Sequence, residues 1–169
     1  MESCFCISTN FQSYSVTGEL MKLLLVFRLD DWKCALHIAS VEKVHRAVAI
    51  TPVPGLPEIA LGIVNVHGRV LPVVNLRGRF HLPEKELTPS AHLIVAHTSR
   101  RTVVLVVDSV DGVMECNEQE ITTADAILPG MGHVEGVLKL NDGMILIHDL
   151  GSFLSIEEDA ALDRAMENV

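Results

Sequence analysis

GIVNVHGRVLPVVNL, residues 62–76, is an aliphatic run broken at Asn65, His67, Gly68, Arg69 and Asn75. Short runs of Val, Ile and Leu on either side read as two strands, with His67-Gly68 as the tight turn between them. Gly62 points to a close backbone approach or a positive φ. Pro72 has no N–H to give to a ladder and belongs at an edge or a bulge. Residues 136–150, GVLKLNDGMILIHDL, align beneath this stretch without gaps: Gly62 meets Gly136, Leu76 meets Leu150, and seven of the fifteen pairs are apolar on both sides.

The upstream segment repeats too. LLVFRLDDWKCALHIASVEKV (24–44) lies over LIVAHTSRRTVVLVVDSVDGV (93–113), with ten of twenty-one pairs apolar and Ser40 over Ser109. A chain that is 49% apolar gives about a quarter of such pairs by chance, about nine of thirty-six, and seventeen occur. The chain therefore holds an internal duplication of about 70 residues.

Strands are predicted at LLLVFRL (23–29), CALHIA (34–39), IALGIVNV (59–66), RVLPVVNL (69–76), HLIVAHT (92–98), TVVLVVDSV (102–110) and MILIHDL (144–150). Links such as DDWK, TSRR and NDG are hairpin-sized, so largely antiparallel sheets are expected. Each copy carries too few strands for an open sandwich, and closure into a small barrel removes exposed edges. The fold class is mostly β: two small tandem β-barrels.

Residues 1–19 are polar and unpatterned and read as a flexible tail; TPVPGLPE (51–58) reads as an extended connector. LPEKELTPS (82–90) marks the boundary between halves at roughly 20–88 and 89–155, with exchange of strands between them left open. SIEEDAALDRAMENV opens with Ser155 and Glu158 at capping-box spacing and predicts a closing helix over 156–169.

Thirteen basic against 22 acidic residues, net −9, exclude the basic footprint of a nucleic-acid binder and discourage contact with anionic membranes. No run approaches the ~18 apolar residues of a membrane span. The start lacks a basic n-region, and Cys4, Cys6, Cys34 and Cys116 form no disulfide framework, so a cytoplasmic chain with reduced thiols is expected.

Catalysis finds no anchor. The eight histidines are scattered over different segments, and neither H-E-x-x-H nor G-x-S-x-G nor a P-loop occurs. Cys4-x-Cys6 is at best half a metal site. Asp108 and Asp111 read as turn caps rather than a carboxylate pair. No enzyme, metal or cofactor is expected, and the polar residues of 62–76 read as structural or interfacial. A free-standing small-molecule sensor would need a polar pocket, and the strands hold no convergent polar cluster to line one.

ITPVPGLPEIALGIVNVHGRVLPVVNLRGRF (50–80) resembles the signature of the CheW family of bacterial chemotaxis coupling proteins: a Pro-rich lead, G-x-x-N-x-x-G, then a Pro-Val-x-[DN]-Leu strand. LVFRLDDWKCALHIASVEKV resembles that family's opening hairpin, VVLVVDSVDGVMECNEQEI its V-V-D-x-V segment, and VEGVLKLNDGMILIHDLGSFLSIEEDAALD its closing hairpin and helix. The match runs over about residues 22–165. It implies an SH3-like double barrel, five strands each, without catalytic activity, recruited to membrane receptor arrays. Such an adaptor bridges the cytoplasmic tip of methyl-accepting chemoreceptors to the regulatory domain of a CheA-type histidine kinase. Carried over by motif, Val41, Lys43, Gly62, Asn65, His67 and Gly68 fall on the receptor side, and Val104 and Val113 on the kinase side. His67 stands where the family usually has Arg, Lys43 where Glu is common, and Asn75 where Asp is common. Service in a divergent array, such as pilus-based motility, is the alternative reading.

Overall fold

The computed structural model describes residues 5–6, 15–16, 19–127, 129–130 and 132–169. In chain order the strands are β1 (Phe5–Cys6), β2 (Ser15–Val16), β3 (Glu19–Leu29), β4 (Trp32–His37), β5 (Val41–Arg46), β6 (Ala60–Val66), β7 (Arg69–Val74), β8 (His92–His97), β9 (Thr102–Val107), β10 (Ser109–Asn117), β11 (Ile121–Thr123), β12 (Val134–Leu140) and β13 (Gly143–His148). The helices are α1 (Leu76–Arg79), α2 (Ala124–Ile127) and α3 (Ile156–Met166). Of the expected tail, β1 pairs with β5 and β2 with β3; Cys4 lies outside the described residues.

Two sheets form, ordered β1-β5-β8-β9-β7-β6 and β10-β3-β4-β13-β12-β11. The duplication matches β3 to β8, β4 to β9, β5 to β10, β6 to β12 and β7 to β13. Under that exchange the order β5-β8-β9-β7-β6 becomes β10-β3-β4-β13-β12, so the two barrels are built alike. Each takes strands from both copies: the hairpin of one copy sends its next strand, β5 or β10, into the other barrel. The sheets therefore run across the 88/89 boundary. Exchange also creates one parallel pair per barrel, β7 with β9 and β13 with β4, where the link lengths had predicted hairpins.

Alternation along the strands feeds three cores. Along β3, Leu24 and Val26 enter the second barrel with Ala35, Leu138, Ile145 and Ile147. Their counterparts Leu93, Val95, Val104, Val64, Leu71 and Val73 fill the first. Leu25, Phe27 and Leu29, on the opposite face, join Ile94, Leu105, Val107, Leu150 and Phe153 in a central core between the barrels. A copy of about 70 residues buries little core by itself, and interlocking gives both a shared one.

Both signature glycines do the same work. Gly62 sits at a register shift in β6 with φ +156°, and a Cβ there would lie 2.4 Å from the Thr51 carbonyl oxygen. Gly136 sits at the matching shift in β12, where a Cβ would meet Ile121 Cγ2 at 2.5 Å and the Thr122 carbonyl oxygen at 2.9 Å.

α3 begins at the expected capping box, Ser155 Oγ accepting from the Glu158 N–H and Glu158 from the Ser155 N–H. It is fastened by Arg101, which pairs with Asp159 and Asp163, and by Arg79, 2.6 Å from Glu158. Asp159 is only 6% exposed. Burial lowers the Arg101 pKa, and the two carboxylates outweigh it and raise the net value. Such a pair is costly to break from one side, because the remaining charge stays buried.

Candidate functional site

Val66 pairs with Arg69, so His67 and Gly68 are the whole loop between β6 and β7. Their φ values of 51° and 84° are both left-handed, the pattern of a type I′ hairpin turn. His is among the few non-glycine residues that accept such a φ. Asn65 Oδ1 accepts the Gly68 N–H at 2.8 Å, closing the turn. Asn65, His67 and Gly68 are exposed, and the His67 ring lies 5.4 Å from that of His45 on β5. Lys43, half-buried, pairs with Val95, and His45 with Leu93, so both lie on the first-barrel face of β5, opposite Val44, which faces the central core. Beside them Glu42 binds Arg69 at 2.7 Å and faces His97 Nε2 at 3.2 Å, while Thr102 Oγ1 meets His97 Nδ1 at 3.0 Å.

The structure thus brings together Asn65, His67 and Gly68 on one turn beside His45, with Lys43 two residues from His45 along β5. Val41 and Gly62 are buried and offer no side-chain surface: Val41 belongs to the central core and Gly62 is pressed on Thr51. A register shift between Val41 and Lys43 turns Val41 and Val44 to the same central-core side, which simple alternation would not predict. Asn75 is not on this mouth. Its Oδ1 accepts the Gly78 N–H at 3.0 Å and caps α1, as Asp149 does for Gly151 in the other copy at 2.8 Å.

The two kinase-side candidates are far apart in kind. Val104 is fully buried inside the first barrel. Val113 lies on β10, at the end of the other sheet, opposite Leu25. Its counterpart Val44 is 9% exposed within the central core, whereas Val113 is 51% exposed.

Asp108 caps the β3–β4 turn rather than one beside it, and Asp111 pairs with Arg28. Asp111 takes both bonds from Arg28 Nε, at 2.9 and 3.2 Å. Asp108 accepts the Asp30 N–H at 2.7 Å and faces Arg77 and Lys85. Burial pushes its carboxyl up, but that N–H and the two cations outweigh it and hold it below the usual range. This hub ties the β3–β4 turn, α1 and the β9–β10 junction together.

The sequence reading missed a ring stack at the seam. Phe80 stacks on His148 at 4.5 Å and on His133 at 5.2 Å, and Phe153 meets Phe80 edge-on at 6.3 Å. His148 is 3% exposed, and its ring has only a weak polar contact, with the His133 backbone. Burial, and then neighbouring His133, push its pKa down to about 4. The first copy holds Ile59 and Val74 at these two positions. The signal was in the duplication: an imidazole aligned with a core valine.

Comparison with known proteins adds names to this architecture. The family model described as CheW-like domain matches residues 23–158. The chemotaxis protein CheW of Rhizobium meliloti (strain 1021) is 30% identical over 140 residues, covering 82% of this chain and 90% of that protein. The chemotaxis protein CheW of Bacillus subtilis (strain 168) is 30% identical over 151 residues, covering 88% and 89%. The crystal structure of the scaffolding protein TtCheW from Thermoanaerobacter tengcongensis superposes with a TM-score of 0.73 at 29% identity, covering 81% of this chain and 94% of that one.

Proposed function

The chain belongs to the CheW-like family, and from that premise we propose that its two barrels divide the two contacts of a chemotaxis adaptor between them. It is a chemotaxis scaffold, and its relatives' names favour this over service in another array or a free-standing sensor. It works without chemistry of its own, by holding a receptor tip and the regulatory domain of a CheA-type kinase side by side. It does so from the cytoplasmic face of the membrane; among the described residues no helix is long and apolar enough to cross one.

The observation that carries this reading is Val113. An aliphatic residue on a terminal strand, half uncovered where its twin Val44 is core, is the position to which we assign the kinase contact. Val104, fully buried inside the first barrel, offers no side-chain surface to that contact. The receptor contact is assigned to the exposed turn 65–68 with Lys43, where His67 and Lys43 give a different charge pattern from the family's usual Arg and Glu. Val41 and Gly62, both buried, act only on the fold of this barrel. Burial of roughly 800 Å² per partner would make a standard interface.

Calorimetric titration with the kinase regulatory domain and with a receptor cytoplasmic hairpin tests the reading. Dissociation constants on the order of micromolar for both are expected. His67→Asn, which keeps a residue at ease with positive φ, should weaken the receptor contact alone. Binding to neither partner would remove the adaptor reading.

A further inference from the structure

The seam between the two copies holds a cleft of about 360 Å³ lined by Glu58, Asn75, Arg79, His81 and His133, among others. Its donors are without enough acceptors. Arg79 gives one NH2 group to Glu158 at 2.6 Å, but its Nε–H is buried with no partner among the described residues. His133 Nε2 is likewise buried and unpartnered. Asn75 spends its Oδ1 on the Gly78 N–H, so its NH2 is the group it has to offer. His81, held at φ 55°, brings a second imidazole to the same wall. Buried polar atoms in folded proteins are nearly always paired, and two buried unpartnered nitrogens at one cavity, the Arg79 Nε–H a donor in every state, mark a missing acceptor.

The duplication sharpens the point. Where the first copy needs only Ile59, the second has His133, stacked 5.2 Å from Phe80 and so fixed in orientation. Arg79 is fixed too, its guanidinium carbon 5.5 Å from the centre of the Phe153 ring. In a chain of net charge −9 this is a local concentration of cationic and imidazole donors. The acidic groups facing it are Glu58, exposed on the rim, and Glu158, already engaged by Arg79 and by the Ser155 N–H.

We propose that this cleft binds a small oxyanion, a phosphate or carboxylate group, held by the Arg79 Nε–H, the His133 and His81 imidazoles and the Asn75 amide. The bound anion bridges α1 of the first copy to the loop ahead of β12 in the second. Burial first, then Arg79 and His81, lowers the His133 pKa in the empty cleft, and an anion between these groups reverses that push. The site does not depend on the adaptor reading, because no partner protein is needed to fill it.

The test is NMR of the histidine ring protons in the full chain, titrated with inorganic phosphate against sodium acetate and sodium chloride at constant ionic strength. Phosphate or acetate should shift the His133 and His81 signals with a Kd on the order of millimolar and move the His133 titration to higher pH. His133→Ile installs the residue the first copy uses, and Arg79→Gln removes the fixed cation. Each should weaken binding about tenfold or more, as expected for loss of a charge-assisted hydrogen bond. If Arg79→Gln does not fold, His133→Ile decides alone. Shifts from phosphate alone assign the site to phosphate-type anions, and shifts from both salts to oxyanions generally. Shifts equal to those in chloride, no saturation, or unchanged binding in His133→Ile would overturn the proposal.

Discussion

Val44 and Val113 hold the same register in the two barrels, opposite Ile94 and Leu25, which are themselves a matched pair. One is core and the other is half exposed. Ile59 and Val74 are apolar and buried, while His133 and His148 replace them across the seam. Duplication supplied two copies of one design, and the positions where they differ are the ones packing alone does not require. Departure from the twin is thus a guide to function that a single copy would not provide.

The comparison breaks most sharply under charge. Val44→Asp buries a carboxylate in the central core and should cost about 4 kcal/mol or more, enough to unfold much of the protein. Val113→Asp, at the matching position, should stay within about 0.5 kcal/mol. Urea titration of both variants checks this, and equal losses would abolish the asymmetry.

The glycines come next. Gly62→Ala meets a backbone carbonyl and a left-handed φ, and should destabilise by about 3 kcal/mol. Gly136→Ala meets the Ile121 branch methyl and, less closely, the Thr122 carbonyl oxygen, without a left-handed φ, and should cost about 2 kcal/mol. Thermal denaturation of the two variants orders them.

His148 gives a pH effect its twin Val74 lacks. Above about pH 6.5 the imidazole is neutral both folded and unfolded, so stability there is independent of this group. As pH falls from about 6.5 to the folded value of about 4, the unfolded chain takes up the proton and the folded one does not, so stability is lost. The loss sums to about 3 kcal/mol. His148→Val should remove that slope and raise stability at neutral pH by about 1 kcal/mol, the cost of a poorly partnered buried polar group. Unfolding free energies between pH 7 and 4 measure both.

Much of this was legible in the chain. The alternation of aliphatic residues, the matched Gly62 and Gly136, and the Ser155–Glu158 box announced strands, duplication and closing helix, because each is a local pattern. Exchange of β5 and β10 was not legible, since which strand pairs with which is settled by burial of a core shared over long sequence distances. The candidate site was half legible. The turn at His67-Gly68 is local chemistry, but the burial of Val41 and Val104 depends on a register shift and on a neighbouring barrel. His133 and His148 meet Phe80 only because α1 folds against the seam.

The most direct test of the central claim, that equivalent strands of the two barrels face different fates, is hydrogen exchange on the full chain with and without the kinase regulatory domain. Slowed exchange across residues 109–117 with no change across 41–46 is the predicted footprint. Protection of 41–46 instead, or of neither strand, would contradict it.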